Sequence, residues 1–287
     1  MSALPLALRP RRAGVQLFMV ALCVYFLIPL WWLVASSTKK GDELFSKPGL
    51  WFSSPGSFAT NLRGLWGRDH HIYLHWLGNS VLYAVGGGVG ATVIATLAGY
   101  AFAKFSFPGR RAMFAVLLGL IMVPSTALVI PTYLLLSKVQ LTDTVWAVIL
   151  PSLLNPFGVY LVRVYVQDSV PDELLEAARM DGAGEIRTFL RVVLPVMRPA
   201  LVTVLLFSMV ATWNNFFLPL VMLSNDKLFP LTVGLQTWYE SATIQSGDSS
   251  LFSLVVTGAL VAIVPLIIAF LFLQRYWRSG LTLGSIK

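Results

Sequence analysis

Residues with the means to do chemistry fall in three places along this 287-residue chain. Asp69, His70, His71 and His75 bring metal-ligating types together. His71 and His75, four apart, would share a helical face, but no Glu completes a zinc-protease pattern and no further ligand has telling spacing. No metal site is assigned, and a solvated or interfacial segment is the expectation. Trp213, Asn214 and Asn215 lie inside an apolar run, with Thr203, Ser208 and Thr212 on the preceding turns. The two amides could hydrogen-bond a polar solute and the indole could stack on a sugar ring; the same groups could equally serve hydrogen bonds between helices. The third place is Asp168 to Pro199, the one long polar interruption in an apolar second half. No nucleophile stands beside a base anywhere, so no catalytic residue is assigned.

Local rules shape the third stretch. Ser169 followed by Asp172 fits a capping box, Pro171 suits a first turn, and Asp172 and Glu173 put negative charge where the helix dipole favours it. A helix is expected from near Val170 to Gly182, where Gly182 and Gly184 lower helix propensity and supply a left-handed closing residue. Leu174, Leu175 and Ala178 form its apolar side, away from Glu173, Glu176 and Met180. Three turns are marginal alone in water, so the helix must dock on something. A second helical piece, Glu185 to Val193, is expected to end at Pro195 and Pro199.

The elements that position these residues are set by composition. The chain is 56% apolar and 12% charged, about half the charge of a soluble domain, which makes it a membrane protein. Its single cysteine, Cys23, sits in an apolar run, so disulfides and cysteine metal sites are excluded within one chain. Six uncharged apolar runs can be counted: Val15 to Ser36, Gly78 to Ala103, Met113 to Ser137, Val145 to Val162, Leu201 to Leu223 and Leu251 to Leu273. Each is near the ~20 residues that cross the bilayer core as a helix. The first run follows Arg9, Arg11 and Arg12 but is too long for a signal core and lacks a clear cleavage site, so it is taken as an uncleaved span.

The expected architecture is an all-α integral membrane protein with six spans and cytoplasmic termini. With the amino terminus inside, the cytoplasmic segments hold 14 of the 21 Lys and Arg, although Lys39 and Lys40 lie outside next to span one. Those segments carry six acids, while the external segments carry seven bases and seven acids, which accounts for the net charge of +8 without nucleic acid. The domain limits follow as a cytoplasmic tail (1–14), a six-span domain (15–273) containing the 168–199 loop, and a second cytoplasmic tail (274–287).

Span two sets Gly87, Ala91, Ala95 and Gly99 four apart, a small-residue ridge for close helix approach. The run from Gly86 to Ala91 formally matches a dinucleotide fingerprint, by accident, since no strand precedes it. Pro124, Pro131, Pro151, Pro156, Pro219 and Pro265 interrupt spans three to six, consistent with a kinked bundle lining a pathway or with kinks that only fit the packing. No Asp, Glu, Lys, Arg or His lies inside any run, which disfavours proton coupling, and no phosphate-binding loop of the Gly-x4-Gly-Lys-Ser/Thr kind is present. Energy for transport must then come from a partner, with the polar loop as its entry point. The rival is an ion-coupled secondary transporter or channel acting alone.

Glu176-Ala177-Ala178, Gly182 after three residues and, after nine more, Val192-x-Leu194-Pro195 resemble the EAA loop of permease subunits in binding-protein-dependent ABC importers. Val192 stands where the family usually has Ile. Trp213 to Leu220, Leu231 to Leu235 and the segment from Arg275 to Lys287 resemble the second permease subunit of maltose-type carbohydrate importers. The resemblance implies that Glu176, Ala177, Ala178, Asp181 and Gly182 couple to an ATPase. It further implies a second permease subunit, a dimer of ATPase subunits and an external solute-binding protein around a prokaryotic cell (inner) membrane subunit. ATP and Mg would sit on the ATPase subunits, with no cofactor on this chain.

Overall fold

The computed structural model describes residues 10–244 and 249–281. Arg9, Asp248, Lys287 and the outer parts of both expected tails lie outside the described residues. The chain divides into two compact units, Met1–Arg68 with Thr237–Val261, and Asp69–Gln236 with Ala262–Lys287. Among the described residues every regular element is helical.

In chain order the first helices are α1 (Pro10–Ser37), α2 (Glu43–Ser46), α3 (Pro55–Gly67), α4 (Ile72–Lys104) and α5 (Arg110–Ile121). Next come α6 (Val129–Lys138), α7 (Trp146–Ser152), α8 (Pro156–Ser169), α9 (Asp172–Met180) and α10 (Glu185–Thr188). The last are α11 (Leu194–Val196), α12 (Arg198–Trp213), α13 (Phe217–Met222), α14 (Leu231–Ile244) and α15 (Ser249–Leu281). Four helical stretches are long and apolar enough to cross a membrane: Gly14–Ser37, Pro55–Lys104, Trp146–Ser169 and Ser249–Gln274. Two bent pairs, Arg110–Ile121 with Ser125–Lys138 and Glu185–Val196 with Arg198–Trp213, bring the number to as many as six.

The apolar runs are less continuous than their composition suggests. Run three bends by 102° at Met122–Pro124, where Pro124 has no N–H to offer the carbonyl of Leu120 and the chain restarts as a 3₁₀ turn, Ser125–Leu128. Run four breaks at Leu153–Asn155. There Asn155 caps α8, its side-chain oxygen accepting from the Gly158 N–H at 2.8 Å while its amide donates to Ser208 Oγ at 2.8 Å. Helix α8 then passes the expected end at Val162 and runs to Ser169, because Val159, Val162 and Val166, with Val170 beyond the helix end, keep a buried stripe at helical spacing. Run five breaks after Trp213 and resumes at Phe217.

In the second unit α4 is the axis, and the small-residue ridge is where its neighbours come closest. A Cβ added at Gly88 would lie 2.5 Å from Met209 Cγ, and one at Gly99 2.6 Å from Val162 Cβ and Cγ1. Only glycine admits α8 and α12 at this separation. Two apolar cores flank the ridge. The first joins Ala95, Tyr100 and Phe102 to the α8 valines, Leu175, Val193, Met197 and Val204. The second gathers Tyr83, Val129, Ala147, Val148, Ile149, Leu218, Met222 and Leu223. The early turns of α4 also hold the 226–231 segment by hydrogen bonds from side chains to backbone: Trp76 to Asp226 O, Asn79 to Lys227 O and Tyr83 to Leu228 O, while Ser80 Oγ accepts from the Leu231 N–H. The Trp76 ring lies where a side chain at Gly234 would stand, which explains that glycine.

In the first unit the 38–54 segment closes on itself. Lys39 is fully buried, its ammonium donating to the carbonyls of Pro48 at 2.7 Å and Gly49 at 3.3 Å. The Asn61 amide donates to Ser37 O and Lys39 O, and Ser253 Oγ donates to Lys39 O. Glu43 takes the Lys47 ammonium, the Lys40 N–H and the Ser53 hydroxyl. These bonds, the Lys47 ion pair first, pull the Glu43 carboxyl from its usual 4.5 down to about 2.

Candidate functional site

The loop between α8 and α12 is built from the backbone outward. Ser169 does not cap it, contrary to the capping-box reading. Because α8 extends to Ser169, that residue is spent ending one helix and cannot begin the next. Val170 is forced into an extended conformation (φ −120°, ψ 90°) by the proline that follows, and Pro171 is the N-cap, with no side-chain hydrogen bond. Asp172 and Glu173 remain in the first turn as expected.

The end of α9 carries the geometry the sequence indicated. Gly182 has φ +76°; its N–H donates to Arg179 O at 2.9 Å and the Ala183 N–H donates to Ala178 O at 3.0 Å. This is a Schellman closure, which needs a left-handed residue at Gly182 and no side chain from elsewhere. Nothing lies within 4 Å of where a Cβ at Gly182 would be, so the turn opens outward. Across it, Arg179 Nε donates to Glu185 Oε1 at 3.0 Å, an exposed hydrogen-bonded pair that raises the Arg179 pKa.

Helix α9 sorts the candidate coupling residues into two sets. Leu175 is buried in the core beside α4 and α8 at 5% exposure, and Ala178 is buried at 8%. Glu173, Glu176, Ala177, Asp181 and Gly182 are exposed, and Met180 and Ile186 show 88% and 77% of their surface. Of the two alanines, therefore, only Ala177 faces outward; Ala178 is small because α9 lies close to its own chain.

The piece after the turn differs from expectation. Helix α10 passes into a π-helical segment, Phe189–Val193, and the chain continues through α11 before a 78° bend into α12. Pro195 does not end the helix. A proline cannot donate to the carbonyl of Arg191, and the wider π turn just before it takes up the mismatch. Thr188 and Val193 are buried here, at 1% and 0% exposure.

The second candidate cluster, Trp213–Asn214–Asn215, marks the break in run five. Trp213 is buried at 7% exposure, so its ring is held by the protein. Asn214 is exposed and its amide donates back to Val210 O at 3.0 Å. Asn215 Oδ1 accepts from the Leu218 N–H at 3.3 Å, and its carbonyl accepts from Thr232 Oγ1 at 2.9 Å. All three residues are thus engaged at the break, and Asn214 is the exposed one. Composition revealed a polar patch here but not a helix end; the Pro219 that follows was the available signal.

Asp69, His70 and His71 form a tight turn with left-handed backbone angles, and His70 and His75 are exposed. Among the described residues no group of three or more His, Cys, Asp or Glu could hold a metal ion.

Comparison with known proteins gives this geometry its context. The arabinooligosaccharides transport system permease protein of Bacillus subtilis is 31% identical over 277 residues, covering 96% of each chain. A maltodextrin transport system permease protein of the same organism is 30% identical over 281 residues, 94% of each chain. The fold is that of a chain in a bacterial ABC transporter involved in the import of the acidic polysaccharide alginate, with a TM-score of 0.78 over 96% of this chain and 100% of that one at 22% identity. Residues 91–282 match the family described as the binding-protein-dependent transport system inner membrane component, and the chain belongs to that family.

Proposed function

We propose that the chain is a non-catalytic permease subunit of an ATP-driven, binding-protein-dependent importer for a sugar or sugar-like solute, and that it forms half of the translocation pathway. It would cross a prokaryotic cell (inner) membrane six times with both termini cytoplasmic. The 15–273 domain would be flanked by tails 1–14 and 274–287, although α15 carries the helix well into the second tail. A second permease subunit, a dimer of ATPase subunits carrying ATP and Mg, and an external solute-binding protein complete the assembly, with the lipid bilayer around it. The sugar class is supported by the arabinooligosaccharide and maltodextrin permeases to which the chain is similar.

The single observation that carries the coupling role is the form of the 172–186 loop. It is anchored on one side by Leu175 and Ala178, closed by its own backbone, and open around Gly182. Glu176, Ala177, Asp181 and Gly182 meet the ATPase, and Ala178 sets the depth at which they are presented. Asn214, with Trp213 and Asn215 behind it, lies on the pathway.

Gly182→Trp tests this. Its Cβ meets no atom of its own chain within 4 Å, and membrane insertion is expected to persist while uptake and transport-linked ATP hydrolysis fall together by about ten-fold or more, the equivalent of about 1.4 kcal/mol of docking. Uptake of labelled arabino-oligosaccharide or maltodextrin by cells with the whole transporter, and hydrolysis by the purified complex, are the readouts. Wild-type values for both would sink the coupling role. Solute flux through liposomes holding this chain alone would instead favour the self-sufficient transporter or channel.

A further inference from the structure

Lys104 and Asp172 are joined by an ion pair that the family loop does not include. Lys104 ends α4 and Asp172 begins α9, so the pair ties the last turn of one helix to the first turn of the other. Both charges suit their helices: a cation at the negative end of the α4 dipole, a carboxylate at the positive end of α9. Only one end is solvated, since the Lys104 side chain keeps 10% of its surface and the Asp172 side chain 77%. A lysine whose stem is mostly buried has little freedom to swing toward a new partner, so the pair keeps its direction.

A second contact lies nearby. The Tyr100 ring, one turn earlier on α4, packs on Phe189 in the π segment at 5.0 Å between centroids, and Leu175 joins the same core. Helix α9 is therefore held to the end of α4 on both sides of its turn. Further back along α4 lie Gly87, against Thr212, and Gly88, against Met209, on the last turns of α12 before the Asn214 break. Helix α12 runs from the end of the loop to that break, and α4 lies against its last turns.

We propose that Lys104 is a positioning residue for transport: paired with Asp172, it passes movement of α9 to α4, which carries it to the pathway break at Asn214–Phe216. This rests on the coupling role of the 172–186 loop. The assignment separates two functions within α9. Glu176, Ala177, Asp181 and Gly182 receive the ATPase, while Asp172 delivers the movement inward.

The test uses the complete purified transporter in lipid nanodiscs, with Cys23→Ser and Asn214→Cys in the chain and a water-soluble maleimide as the probe. The labelling rate is measured without nucleotide and after trapping with Mg-ATP and vanadate. The otherwise unaltered reporter chain shows a nucleotide-dependent change. Asp172→Asn, an isosteric change at an exposed position, and Lys104→Asp each reduce that change on the order of three- to five-fold, the range a partly buried ion pair spans. The exchange Lys104→Asp with Asp172→Lys recovers at least half of it, an outcome that loss of packing alone does not give. A full response in Asp172→Asn, or an exchange no better than the single variants, overturns the proposal. Gly182→Trp keeps the two ideas apart: no response with Gly182→Trp but a full response with Asp172→Asn removes only the Lys104 role, whereas a full response with Gly182→Trp removes both.

Discussion

The 38–54 segment and the 170–197 segment are both polar stretches built around a short helix, yet they dispose of their polar groups in opposite ways. In the first, three of the five charged side chains bond within the segment: Lys39 to the Pro48 and Gly49 carbonyls, and Glu43 to the Lys47 ammonium, the Lys40 N–H and the Ser53 hydroxyl. In the second, Glu173, Glu176 and Asp181 are left in the open beside Met180 and Ile186, and the turn at Gly182 is closed by backbone bonds alone. A segment that consumes its own hydrogen bonds holds a shape. One that closes with the fewest side chains leaves the rest for a partner.

That contrast breaks most visibly at Lys39. Lys39→Met strands the Pro48 and Gly49 carbonyls and is expected to cost about 1–3 kcal/mol, read as a lowered unfolding temperature of the purified complex. The response to nucleotide in the fraction that remains folded is retained. Gly182→Ala lies on the other side of the comparison. It costs about 1 kcal/mol through the left-handed backbone, with no clash, and a reduction in transport beyond what that lost stability explains would show that even one methyl group obstructs the partner. Acid gives the smallest effect. The Glu43 carboxyl is depressed to about 2, so its contribution is present above its usual 4.5 and is lost as pH falls from there toward 2. The protection of amides in residues 40–54, taken relative to the intrinsic exchange rate at each pH, should therefore fall between pH 5 and pH 3 in the native chain. Glu43→Gln should show the lower protection at both values, and an acid response unchanged by that substitution would remove Glu43 as its source.

The comparison also shows what the sequence can disclose. The Gly182 turn was legible because its cause is local: a left-handed closure needs glycine, and the helix before it is short and capped by charge. The α4 ridge was legible because small residues four apart have one use in a membrane. The burial of Lys39 was not, since its acceptors are carbonyls whose positions depend on the folded segment and carry no side-chain signature. The length of α8 was missed for a related reason. Arg163, Gln167 and Asp168 look like the end of an apolar run, but the buried stripe from Val159 to Val170 continues beneath them, with Arg163 at its edge lying over Phe114. The break at Asn214–Phe216 was visible as polarity and misjudged as geometry, because Asn215 caps a helix from within what reads as one continuous span.

The glycines of α4 also bear on how this chain tolerates change over generations. Gly88 and Gly99 are buried, and each has a neighbouring atom about 2.5 Å from its missing Cβ, whereas Gly119 and Gly184 have open space around them. In a population of randomly mutated chains selected for uptake, alanine should vanish at the first two positions and persist at the others. The imprint of selection would then be heaviest in the middle of a helix, at positions set by its packing alone.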